Sequence, residues 1–247
     1  MKQLDISDFF QEFYTIKDET SDFYLDLHLH TVDSDGSITI ENIADFLKDK
    51  NYLIAVADHN EISGCKKLLD LGINAVPAIE LGCQDGFEIL VYFKNYEIAE
   101  AFFKKEVAPF RHPTRMARTT RDIFTYLELL EEYDVHLSIP HIRGVAQKNF
   151  LKNKKNIFKI IRETDSLETH NHALPKKNNR IAKNVKRIYN KNETWGSDAH
   201  TMGEIRDYLS FLHKRKTLMR SILNNIGKIG VLSSIGIKHL NYLLKSK

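Results

Sequence analysis

The chain has 247 residues, 42% of them apolar, with 36 basic against 33 acidic side chains and a formal net charge of +3. That length and apolar share suit one α/β barrel with a real core and exclude a small stapled domain. Cys65 and Cys83 show no metal-ligand spacing, which argues against a disulfide scaffold and for a reducing cytoplasm. No stretch reaches the roughly 18 uninterrupted apolar residues of a spanning helix. The nearest, Ile226–Leu244, is broken by Lys228, Lys238 and His239. The acidic, polar stretch Met1–Thr20 is unlike a signal peptide.

In chain order, a strand is expected over Phe23–Leu29 and a helix over Ile40–Lys50, opened by Thr39. A strand over Leu53–Ala57 follows, then a helix over Ser63–Leu71 with Gly72 as its stop. Strands Asn74–Ile79 and Glu88–Phe93 precede helices Tyr96–Phe103 and Thr119–Tyr133. Strand His136–Ile139, helix Ile157–Arg162, strand Ser166–Thr169, helix Asn179–Asn190 and strand Glu193–Gly196 complete the series. Alternation of this kind implies parallel strands with right-handed crossovers. One domain spanning 1–247 is the expectation, with a core of about 24–200 and a helical C-terminal segment, 203–247, packed on it. Within that segment Thr217–Asn225 and Ile235–Leu244 read as helices, with Gly227, Gly230 and Gly236 as breaks. Their apolar faces would cover the barrel or a partner subunit; a basic amphipathic segment also suits a membrane surface.

Charge is unevenly spread. From Lys148 to Lys191 basic residues dominate, opposed only by Glu163, Asp165 and Glu168. Such a segment attracts phosphate or nucleic acid, or is simply a solvated lysine-rich face.

Histidines and acids repeatedly end the apolar runs: His28 and His30, Asp58 and His59, Glu80, His141, Asp198 and His200. Two histidines one residue apart on a strand face the same way. In α/β barrels the carboxyl ends of the strands form one mouth, so residues distant in sequence meet there. Imidazole mixed with carboxylate suits Zn²⁺, Mn²⁺ or Fe²⁺, and the lack of cysteine in the set argues against a closed structural zinc. Asp35 follows in the loop Thr31–Gly36, where Gly36 would allow a tight turn. Asp26 and Asp58, beside ligand-type histidines, are expected to orient imidazoles. Glu80 is the candidate bridge between ions roughly 3.5–4 Å apart, a spacing that serves phosphoester hydrolysis. Arg143, two residues past His141, is a candidate phosphate clamp, and Arg115, Arg118 and Arg121 form a second group. His136 reads as a packed residue, and His213 and His239 as surface residues.

Asp26-Leu27-His28-Leu29-His30-Thr31, Ser34-Asp35-Gly36, Asp58-His59-Asn60, Ile79-Glu80, Pro140-His141 and Gly196-Ser197-Asp198-Ala199-His200 together resemble the PHP (polymerase and histidinol phosphatase) family over about Tyr24–His200. The resemblance implies a distorted (β/α)7 barrel with two or three divalent ions that hydrolyses phosphoesters. It implies one ion on His28, His30, Glu80 and Asp198, a second on Glu80 and His141, and a third on Asp35, His59 and His200. The family commonly has a histidine where this chain has Glu88; either the carboxylate serves instead, or the second site is weak, or His112 enters from its loop. An asparagine near Asn171 is also a family feature, with His170 and His172 beside it as minor candidates for substrate contact.

The expected function is hydrolysis of a phosphomonoester, a nucleotide or a short nucleic-acid phosphoester by water activated on the ions, with Asp35, His59 and Arg143 acting in the reaction. The implied partners are a small phosphorylated substrate, a nucleotide or single-stranded nucleic acid. The rivals are a non-catalytic metal-containing regulatory module, favoured by Glu88, and a metal hydrolase acting on a carbon centre.

Overall fold

A computed structural model describes residues 23–144, 150–153, 155–213 and 235–244. Seven strands form one sheet in the order β1 to β7: Phe23–Leu29, Asn51–Val56, Val76–Gly82, Glu88–Phe93, Val135–Ile139, Ser166–Asn171 and Asn192–Gly196. After β7 the chain pairs with β1: His30 N donates to Ala199 O at 2.9 Å and Asp198 N to His28 O at 2.7 Å. The sheet is thereby nearly closed, a distorted (β/α)7 barrel of the PHP type.

The expectation of an all-parallel barrel is corrected at one strand. β4 runs antiparallel to both β3 and β5. Only Cys83–Phe87 joins β3 to β4, too few residues for a crossover, which needs about a dozen. Instead Cys83 N donates to Phe87 O at 2.9 Å, and Gly86, at φ 86°, supplies the left-handed turn. The reversal has a functional consequence: Glu88, the first residue of β4, lies beside Gly82, the last of β3, at the mouth.

Helices α1 (Ile40–Leu47), α2 (Ser63–Asp70), α3 (Tyr96–Phe102), α4 (Ile123–Leu130), α5 (Phe150–Asn153), α6 (Ile157–Glu163), α7 (Lys176–Tyr189) and α8 (Met202–Leu212) cover the sheet. Thr39, Asn95 and Asp122 cap α1, α3 and α4 through side-chain oxygens, and Thr201 with Glu204 forms a capping box on α8. The expected helix Thr119–Tyr133 is shorter because Thr119 is drawn into a bridge with Arg111 and donates to Gly82 O at 2.8 Å. Residues 235–244 form a further helix, α9, as expected. The expected helix Thr217–Asn225 lies outside the described residues. No described helix is long and apolar enough to cross a membrane.

Apolar side chains divide into layers. Leu25, Leu27, Leu53, Ala55, Ala78, Leu90 and Tyr92 from strands, with Ala57 just past β2, fill the interior. Outside, strand residues pack on helices, as Tyr24, Leu29, Ile54 and Val56 do on Ile40, Ile43, Leu68 and Tyr208. Fully burying a large side chain of this kind contributes about 1.5–3 kcal/mol, so the layers fix the positions of the strand ends.

Candidate metal centre

β1 and the residue after its end present two ligand-type histidines, His28 and His30, because the alternation of the strand is interrupted. Its register with β2 shifts between Asp26 and Leu29. Leu27 packs in the inner layer whereas Leu29 packs in the outer one, so His28 and His30 flank Leu29 on the inner side. On β3, Ala78 is inner and Glu80 follows it by two residues onto the same face. The ladder from β2 continues past its end as a bridge between His59 and Glu80. His141 and Asp198 sit beyond β5 and β7 with φ of 29° and 52°. Left-handed backbone at non-glycine residues is strained, and such strain gathers at functional sites.

All nine predicted ligand residues are buried and share this mouth. His28 Nε2 and His30 Nε2 are 3.2 Å apart. Glu80 Oε2 lies 3.5 and 3.4 Å from those nitrogens, and Asp198 Oδ1 3.8 and 3.4 Å. Asp35 Oδ1 is 3.2 Å from His200 Nε2, and its Oδ2 is 3.7 Å from His59 Nε2. His59 Nδ1 lies 3.0 Å from Glu80 Oε2. His141 Nε2 lies 2.9 Å from Glu80 Oε1 and 3.4 Å from Glu88 Oε2. Among the described residues three groups have the spacing of a cation site: His30 with Asp35, His59 and His200; His28 with His30 and Glu80; and His59 with Glu80 and Glu88. Glu80 belongs to two of them, as a bridging carboxylate would. His30 and His59 also belong to two each, but a neutral imidazole coordinates through one nitrogen and carries a proton on the other, so each would serve one ion.

The residues fit a divalent ion. The donors are nitrogen and oxygen without sulfur. His30 Nδ1 and His141 Nδ1 are buried and make no hydrogen bond among the described residues, a costly state for polar atoms. Two tautomers are already set for ligation: His28 Nδ1 is 2.8 Å from Glu168 Oε1 and His200 Nδ1 is 3.0 Å from Asp198 O, each leaving Nε2 toward the cluster.

Glu168 is the residue that sequence reasoning missed. Its Oε2 also accepts from His141 N at 2.7 Å and Asn171 Nδ2 at 2.9 Å, and Asn171 Nδ2 reaches Asp198 Oδ2 at 3.0 Å. The expectation that Asp26 and Asp58 orient imidazoles is corrected. Asp26 accepts from Ser197 N at 2.8 Å and Tyr24 Oη at 2.6 Å, tying β7 to β1. Asp58 accepts from Thr31 N, Thr31 Oγ1 and Ser34 Oγ and so clamps the Asp35 loop. Neighbouring residues point to opposite sides of a strand, which turns Asp58 away from the imidazole of His59.

The electrostatics follow from burial opposed by partners. Burial alone would strip the proton from His28, but Glu168, Glu80 and Asp198 outweigh it and hold its pKa well above the ordinary value. His30 is pushed down to about 4 by burial, with His200 adding to the effect. Asp35 is held well below the usual carboxylate range by His59 and His200, against the pull of burial. Burial raises Asp26 and Asp58 to about 6 despite their hydrogen bonds.

Other predicted residues take varied places. Glu88 pairs with Arg118, Oε1 to Nη1, at 2.5 Å. Arg143 is half-buried just past His141, and its carbonyl accepts from Asn178. His112 stays outside the cation-type groups, its Nδ1 accepting from Thr114 N at 3.1 Å. His136 is packed, 2.9 Å from Ser166 Oγ. His170 stacks on Phe211 at 4.3 Å and His172 pairs with Asp207 at 3.0 Å, so both face α8 and not the cluster. His239, expected at the surface, is on α9 and reaches within 4.0 Å of Asp35 Oδ2. α9 is anchored over this end by Lys238 Nζ, which donates to the carbonyls of Ser34 and Gly36, and by Tyr242 Oη, which donates to His112 O at 3.0 Å. The basic residues of α7 lead away from the mouth. Lys183, Lys186, Arg187 and Lys191 line a cavity of about 440 Å³ beside Glu193, at the opposite end of β7 from Asp198.

No family model matches the sequence, and no curated protein does. Solved structures do match. A candidate metal-dependent phosphoesterase of Bifidobacterium adolescentis is 14% identical, covering 81% of this chain and 99% of that one, with a TM-score of 0.55. An amidohydrolase of Chromobacterium violaceum, with bound sulfate and no metal, is 12% identical, covering 73% and 88%, with a TM-score of 0.54. The lesion-specific endonuclease PfuEndoQ of Pyrococcus furiosus is 19% identical, covering 71% of this chain and 48% of that one, with a TM-score of 0.57. At such identities the likeness concerns the fold: this chain has the PHP-type barrel that the motifs led us to expect.

Proposed function

We propose that the chain is a metal-dependent phosphoesterase of the PHP family. The observation that carries this reading is the convergence of nine buried histidine and acid side chains from six strand ends and the Asp35 loop at one mouth. Two of the three named neighbours, a candidate phosphoesterase and an endonuclease, favour phosphoester chemistry, and the third is an amidohydrolase. His28, His30, Glu80 and Asp198 would hold one ion, Glu80 with His141 and Glu88 a second, and Asp35, His59 and His200 a third. Manganese, zinc or iron in such a centre lowers the pKa of bound water and neutralises phosphoryl oxygens. Glu168 orients His28, and Asp58 holds the loop that presents Asp35. In this reading Asp35 and His59 would bear on the reacting water, and Arg143 would meet a phosphoryl oxygen. The substrate is a phosphomonoester, a nucleotide or a short nucleic-acid phosphoester; the remoteness of the α7 cavity from the mouth favours a small substrate.

Hydrolysis of an aryl phosphate with added Mn²⁺ tests this, beside a panel of amides. The expected result is phosphate release by the parent protein, reduced by at least about a hundredfold in His28→Ala. Amide turnover alone would favour the carbon-centre reading, and bound metal with no turnover the regulatory one that the Glu88–Arg118 pair supports.

A further inference from the structure

Four arginines precede or follow the loop beside the mouth, and three are accounted for. Arg111 spends Nε and Nη2 on the carbonyl of Asn60 and on Glu61. Arg121 is bound to Glu106 and lies over the Phe110 ring. Arg115 is exposed. Arg118 differs: it is only 7% exposed, and of its guanidinium nitrogens only Nη1 has partners among the described residues. These are Glu88 Oε1 at 2.5 Å and Ala117 O at 2.7 Å. Its Nε is buried without a hydrogen bond. An N–H left so costs stability unless a ligand takes it.

The surroundings hold the guanidinium in place. A Cβ at Gly82 would overlap the carbonyl of Ala117 and crowd Arg118 Nη1, so the glycine at the end of β3 is what lets this segment approach. Glu88 joins the arginine to the cluster, since its other oxygen lies 3.4 Å from His141 Nε2. A planar guanidinium fixed through one nitrogen keeps a two-donor edge of the right spacing for two oxygens of a phosphate.

We propose that Arg118 is a phosphate-binding residue of this centre, held by Glu88 through Nη1 and presenting its Nε–Nη2 edge to a phosphoryl group. The proposal rests on the phosphoesterase reading and adds the residue that recognises the phosphate. Glu88 then has two tasks: it faces His141 with one oxygen and fixes the arginine with the other.

The test is titration of the manganese-loaded protein with inorganic phosphate by calorimetry, with metal content measured in parallel. Arg118→Met should weaken phosphate binding about tenfold or more, the loss expected for charge-assisted hydrogen bonds, with metal content unchanged. Arg118→Lys keeps a cation beside Glu88 but has no planar edge, and should weaken binding by a smaller factor. Unchanged phosphate affinity in metal-loaded Arg118→Met overturns the proposal. If that variant fails to fold or loses metal, Arg118→Lys decides, and parental affinity there overturns it. A parent protein that holds manganese yet binds no phosphate overturns the phosphoesterase reading along with it, whereas a parent that binds phosphate equally with or without Arg118 leaves that reading intact and removes only this residue.

Discussion

At the scale of single residues, His28 shows how a proposed ligand is held ready. It is fully buried, and Glu168 accepts a hydrogen bond from its Nδ1–H so that Nε2 faces His30 and Glu80. The same carboxylate secures the backbone of His141 and the amide of Asn171, which in turn holds Asp198. One acid thus orders groups from four strand ends. Glu168→Gln keeps the shape but weakens this grip, and Mn²⁺ affinity is expected to fall about 10- to 100-fold. Calorimetric titration with MnCl₂ measures it; an unaltered affinity would show that Glu168 is only a packing residue. Nothing in the sequence singles Glu168 out from other strand acids, because its partners lie 140 and 27 residues away.

At the scale of elements, the loop after β1 illustrates the difference between a correct location and a correct reason. Gly36 was expected to supply conformational freedom. The left-handed glycines among the described residues are Gly72 and Gly86, and not Gly36. What Gly36 supplies is space: a Cβ there would overlap the carbonyl of His30. The loop can then fold back, with Asp58 gripping Thr31 and Ser34 and Lys238 of α9 bonded to Ser34 and Gly36. Gly36→Ala should therefore cost about 1–3 kcal/mol, the usual penalty for overpacking, and displace Asp35 enough to weaken metal binding. Urea unfolding at neutral pH gives the first quantity, and parental stability with parental manganese affinity would refute the argument. Reversal of β4 belongs to this scale too. The expected strands Asn74–Ile79 and Glu88–Phe93 already leave too few residues between them for a crossover, so strand–helix alternation does not hold at this step; the structure narrows the connection to Cys83–Phe87.

At the scale of the whole molecule, packing of helices and strands together buries histidines outside the cluster, such as His170 against Phe211 and His136 beside Ser166, and this makes the fold sensitive to acid. His170 is pushed down to about 3 by burial, with His172 and Lys183 adding positive charge. Unfolded, it titrates near its ordinary value of 6.5. Below that value the unfolded chain binds a proton that the folded chain refuses. The stability is therefore complete above about 6.5 and is lost as pH falls toward 3. His136, pushed to about 4 by burial, acts with the same sign. His170→Phe retains a ring against Phe211 and removes one titration, so stability should fall less steeply between these limits. Urea midpoints taken at successive pH values test it, and a slope equal to the parent's would refute the assignment.

Read along the chain, the residues themselves determined the barrel class, the approximate strand positions and the set of histidines and acids at the strand ends, because period-two apolar runs and the residues that close them are local signals. Helix ends were less legible, since Thr119 leaves α4 for a bridge that depends on Arg111 and Gly82. The sense of β4, the pairing of Glu88 with Arg118, the reach of Glu168 and the approach of His239 to Asp35 were decided only in three dimensions. Each depends on which distant strand end or helix lies next to which, and that adjacency arises from closing the sheet and packing its layers, not from any run of neighbouring residues.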